Sequence, residues 1–169
     1  MCYAHPLETD TYDESVKLRK QFDNWSKICK NIFIFEYPVI YDMYPHTYPI
    51  WDAMQPNIQY YLKNGATGLY VDSNASCDAN FLCMTSWLYA KLLWDPYADM
   101  DALMSRFMKL YFGDGWQYIK EYTRMISEEC NGKTIAGIKN HMKCFDLDQP
   151  GLMTMTKNQM EYCDELWAK

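Results

Sequence analysis

Apolar positions along the chain follow two periods. Short continuous runs mark strands: "MCYAH" at the start, "NIFIFEY" from Asn31 and "TGLYVD" from Thr67. An unbroken run such as "NIFIFEY" predicts a strand buried on both faces, as in a parallel sheet. Between the runs the period changes to that of a helix. From Asp13 to about Cys29, the residues Val16, Phe22, Trp25, Ile28 and Cys29 form one apolar stripe. "IWDAMQPNIQYYLKNG" predicts a second helix that Gly65 stops at its C-terminus. Pro56 lies inside it, so the helix either kinks there or starts near it. The strands begin near residues 1, 31 and 67, with a helix in each gap, which is the repeat of a βα unit in a parallel sheet.

From Asp78 onward the strand signal disappears. "ANFLCMTSWLYAKLLW", "DMDALMSRFMKLYFG" and "GWQYIKEYTRMISEEC" predict consecutive helices, and "MTMTKNQMEYCDELWAK" predicts another; Asn131 to Gly151 reads as loop. The chain opens directly in a strand and closes within a helix. The expected fold is therefore α/β, the C-terminal part of a (β/α)8 TIM-type barrel with about three parallel strands, followed by an α-helical region. Residues 1–95 would supply the barrel units and 96–169 the helical extension.

Charge narrows the range of partners. The formal net charge of -6, with no basic cluster, argues against nucleic acid. "KLRK" at Lys17–Lys20 lies on a helical pattern and reads as a solvated face. No apolar run approaches the roughly 18 to 20 residues of a membrane span. The seven cysteines have no metal-site spacing and read mainly as buried free thiols, Cys83 among them. A disulfide among Cys77, Cys130 and Cys144 is the alternative. Nucleotide-binding, serine-hydrolase and zinc-protease motifs are absent, and nothing implies a cofactor or a metal. His46 and His141 are isolated and read as surface residues, and the methionines of the later helices as adaptable packing.

In parallel α/β sheets the site forms at the carboxyl ends of the strands. There the chain places His5 after the first strand, Glu36 and Tyr37 after the second, and Asp72, Ser73 and Asn74 after the third. His5 either bonds a loop carbonyl or contacts a ligand. A carboxylate following Ile-Phe-Ile-Phe either pairs with a cation or faces a polar cleft, because burial without a partner is unfavourable. Asp72 either caps the following loop or lines that cleft. Tyr37, Tyr41, Tyr44, Tyr48 and Trp51 add aromatic faces beside these carboxylates, the combination a sugar-binding cleft needs; packing of the barrel mouth is the alternative. Glu36 and Asp72 could form the carboxylate pair of a glycosidase, or act as ligands of substrate hydroxyls.

"CYAHPL", "FDNWSKICKNIFIFEYPV", "QPNIQYYLKNGATGLYVDSN" and "YAKLLWDPYADMDALMSRFMKLYFG" together resemble the C-terminal portion of the domain of unknown function 4838 family. The resemblance is strongest over about residues 2 to 125. It implies mostly bacterial, secreted or cell-surface proteins of carbohydrate-degrading organisms, similar to glycoside hydrolases with a (β/α)8 barrel. It further implies a glycan partner, catalytic residues in an N-terminal part of the barrel outside this chain, and a chain inactive alone. His5, Glu36, Tyr37, Tyr41, Tyr44, Asp72 and Asn74 would then be substrate-cleft residues. The turn "VDSNAS" after the third strand departs from the Gln-Gly or Glu-rich turn expected there. The alternative function is a non-catalytic carbohydrate-binding or helical interaction module.

Overall fold

The computed structural model describes residues 7–8, 13–39, 47–73, 81–130, 134–135, 138–139 and 157–169. Helix α1 (Asp13–Ile28) leads into strand β1 (Ile32–Glu36), helix α2 (Trp51–Lys63) and strand β2 (Ala66–Val71). Helices α3 (Leu82–Trp94), α4 (Met100–Phe112) and α5 (Trp116–Cys130) follow, then a minimal hairpin of β3 (Thr134–Ile135) and β4 (Ile138–Lys139), and helix α6 (Lys157–Trp167). The hairpin falls in the segment expected to be loop. The expected first strand, "MCYAH", lies outside the described residues.

β1 and β2 pair in parallel, with Ile34 opposite Leu69, Phe35 opposite Tyr70 and Glu36 opposite Val71. The crossover helix α2 covers one face of this sheet, as a parallel connection requires. Its Tyr60 and Tyr61 pack on Ile34, Ala66 and Leu69, and α1 adds Leu18 and Phe22 to the same cluster. The register shifts between Ile32 and Phe33, so Ala66 and Leu69 turn towards the same helix despite odd spacing.

The opposite face differs from the expectation for β1. Phe33 is 74% and Phe35 47% exposed, and Tyr70 beside them is exposed as well. A continuous apolar run is buried on both faces only where a second layer lies over the sheet. Gly68 suits the open face, because a Cβ there would stand 2.4 Å from the Phe33 ring. The bare backbone lets that ring lie across the neighbouring strand.

α2 begins at Trp51, upstream of Pro56, so it is neither delayed to the proline nor ended by it. Proline has no N–H to offer the carbonyl of Asp52. At the other end Asn64 occupies the cap and Gly65, at φ +87°, takes the left-handed turn. The Gly65 N–H donates to the Leu62 carbonyl, and the Asn64 side-chain amide donates to the Tyr60 carbonyl. β2 can therefore start at once.

The main core lies among α2, α3, α4 and α5, around Trp51, Met54, Met84, Leu88, Leu92, Met108 and Ile126. Trp51 stands edge-on to Phe81, 5.5 Å between centroids, and its indole N–H donates to the Thr85 hydroxyl at 3.1 Å. Gln55 of α2 donates to the carbonyls of Pro96 and Ala98, and Gln59 also donates to Pro96, so side-chain amides grip the turn between α3 and α4. Asn57 accepts from the Leu7 N–H at 2.7 Å. The polar residues of "QPNIQ" thus act as ties between segments. Cys83, expected to be buried, is exposed on α3, because its stripe position faces away from Met84 and Leu88; Cys29 is half-buried and Cys163 buried, and all three are free thiols. Cys77 and Cys144 lie outside the described residues.

Candidate functional site at the strand ends

The parallel register brings the carboxyl ends of β1 and β2 side by side. The Asp72 N–H donates to the Glu36 carbonyl at 2.8 Å, so the two strand tips are joined at the positions where the sequence turns polar. Glu36, Tyr37 and Asp72 therefore share one edge of the sheet. His5, Tyr41, Tyr44 and Asn74 lie outside the described residues, as do His46 and His141.

Glu36 is 2% exposed, and strand alternation turns its side chain towards the helices. Among the described residues its partners there are two phenolic hydroxyls. The Tyr61 hydroxyl, from α2, donates to Oε1 at 2.6 Å, and the Tyr89 hydroxyl, from α3, donates to Oε2 at 2.7 Å. Each carboxylate oxygen accordingly receives a short hydrogen bond from a different helix. Burial pushes the carboxyl above its ordinary value of 4.5, and the two tyrosine hydroxyls oppose that shift without cancelling it. Glu36 is thus a buried acid joining β1, α2 and α3. Tyr61 is the tyrosine within the "QPNI..Y" pattern, and Tyr89 lies in the apolar run of α3.

These two tyrosines were not singled out from sequence, because on an amphipathic helix a buried tyrosine counts as another apolar position. A signal existed in the strand. A carboxylate ending an apolar strand needs donors, and a tyrosine is what an apolar helix face can offer.

Tyr37, just beyond β1, is half-buried and packs in part against the main core. Its ring lies 5.0 Å from Phe35, and Phe35 lies 4.8 Å from Tyr70. The three rings form a continuous aromatic strip that runs from the exposed Phe35 and Tyr70 to the half-buried Tyr37 at the strand tip. Tyr48 and Trp51, grouped with Tyr37 from sequence, are instead core residues at 4% and 2% exposure. Trp51 begins α2, Tyr48 lies just before it, and both pack in the main core, which removes them from any cleft.

Among the described residues no group of three or more His, Cys, Asp or Glu side chains is placed to hold a metal ion. No described helix is long and apolar enough to cross a membrane. Residues 1–124, which include both strand tips and all three residues of the Glu36 cluster, match the family described as Domain of unknown function (DUF4838). The chain belongs to the DUF4838 family. For this DUF4838 chain no curated protein and no solved structure gives a significant match. The family's segment carries the aromatic strip, the strand tips and the Glu36 cluster together.

Proposed function

We propose that this DUF4838 chain forms one wall of a carbohydrate-binding cleft in a glycoside-hydrolase-like (β/α)8 barrel. The observation that carries this reading is the strip of Phe35, Tyr37 and Tyr70, which runs from the uncovered sheet face to the strand tip. Further parallel strands would extend the sheet and close the barrel over this face. Ring faces at the mouth would stack on the C–H face of a pyranose, and the Asp72 carboxylate would accept hydrogen bonds from sugar hydroxyls. Glu36 serves the same site by fixing the strand tip from which Tyr37 projects. The acid and the nucleophile or base of hydrolysis would come from other strands of the barrel, since the buried Glu36 has its oxygens occupied by tyrosines.

Neutral oligosaccharides titrated into the full-length protein, with tyrosine fluorescence and calorimetry as readouts, test this reading. Tyr70→Ala, which removes an exposed ring face, and Asp72→Asn should weaken binding by the folded protein. Unchanged affinity in both folded variants would overturn the assignment of this wall.

A further inference from the structure

A cleft of about 420 Å³ is lined by residues of α4, α5 and the first turn of α2, none of them at the strand ends. Trp116 and Met104 supply its apolar wall, and most of its remaining lining is charged or hydroxylic. Two cations, Lys120 and Arg124, stand among four carboxylates, Asp52, Asp101, Glu121 and Glu128, and both cations are paired. Arg124 donates through Nε and Nη2 to both oxygens of Glu121, at 2.9 and 2.6 Å, and through Nη1 to Glu128. Lys120 bridges α5 to α4 by pairing with Asp101 and donating to the Ser105 hydroxyl at 2.8 Å. The guanidinium beside Glu121 holds that carboxyl below its ordinary value, in keeping with a fixed ion pair. Ser127 lines the same cavity at 3% exposure, and its hydroxyl has no hydrogen-bond partner among the described residues. Buried hydroxyls ordinarily find one.

We propose that this cavity is a binding site for a small neutral polyhydroxylated molecule of mono- or disaccharide size. An anionic ligand would meet an excess of carboxylates, and a cationic one would have to compete for them with Lys120 and Arg124. A polyol avoids both, because it can use what those pairs leave over. The guanidinium has further N–H groups, each carboxylate oxygen can accept a second bond, and hydroxyls both donate and accept. Trp116 offers an apolar surface for the carbon face of such a ligand. Rotation of Ser127 about χ1 to another staggered position would bring its hydroxyl to the ligand, replacing an unsatisfied group with a bonded one. The inference does not rest on the strand-end cleft, since the two sites use different residues.

The test is a titration of the full chain with maltose and with chitobiose, followed by NMR, with spermidine and inorganic phosphate as ionic probes. The expected result is that a disaccharide shifts the Trp116 indole and the amides of residues 117–128, and the ionic probes do not. Ser127→Ala, which removes an unsatisfied hydroxyl and so keeps the fold, should weaken that binding about fivefold, the value of one hydrogen bond. Tyr70→Ala should leave it unchanged, which separates this site from the strand-end cleft. Binding of spermidine or phosphate in preference to the disaccharides, absence of shifts at Trp116, or full affinity in the Ser127→Ala variant would overturn the proposal.

Discussion

At Glu36 a carboxyl group has been taken out of water and given two phenolic donors in exchange. Glu36→Ala would leave the Tyr61 and Tyr89 hydroxyls buried without that acceptor, so it should lower stability by about 2–4 kcal/mol in urea denaturation. Tyr61→Phe removes one donor and should lower it by about 1–2 kcal/mol. The pH dependence has a definite sign. Because the folded-state value lies above the ordinary 4.5, the folded protein holds this proton more tightly than the unfolded chain does. The stability contributed by Glu36 is therefore complete below about 4.5 and declines as pH rises through the folded-state value. Unfolding free energy measured across that range should show this decline in the wild type and lose it in Glu36→Gln. The exposed carboxylates titrate in both proteins, so the difference between them isolates Glu36. The acid itself was legible in the sequence as a charge at the end of an apolar strand. Its partners were not, because they come from helices 25 and 53 residues away along the chain.

The helices were the most legible elements. α1 spans Asp13–Ile28, close to the stripe read from Val16 to Cys29, and Gly65 ends α2 because only a left-handed residue turns the chain there so tightly. Replacing Gly65 by Ala should lower stability by about 1–2 kcal/mol, since φ +87° strains any residue with a Cβ. Asp99 was not singled out, yet its side chain accepts from the Ala102 N–H and starts α4. Asp99→Ala should lower the melting temperature, corresponding to about 1 kcal/mol. What periodicity could not specify was which side of an element is covered. Phe33 and Phe35 look like fully buried strand residues, and Cys83 like a core thiol, because hydrophobicity records a preference for burial without naming the partner surface. The same limit explains Tyr48 and Trp51. Their aromatic character suited a cleft and a core equally, and their position under α3 decided for the core.

On the scale of the molecule, one layer of helices supports a two-stranded parallel sheet whose other face is aromatic and uncovered. Parallel sheets are ordinarily covered on both faces, so this face is the surface on which the functional account depends. The alternation of strand and helix was visible in the spacing of apolar runs, whereas the division of β1 into a helix-facing acid and an outward-facing aromatic strip required the register with β2. Phe35 and Tyr70 are exposed in this chain, so Phe35→Ser should change the unfolding free energy of the 169-residue chain by no more than about 1 kcal/mol while reducing the oligosaccharide affinity of the full-length protein. The most direct measurement is aromatic NMR of the full-length protein during titration with a neutral oligosaccharide. The account predicts that the ring signals of Phe35, Tyr37 and Tyr70 move together, with one dissociation constant, while those of buried Tyr61 and Tyr89 stay in place. Saturable binding that leaves those three rings unmoved would contradict it.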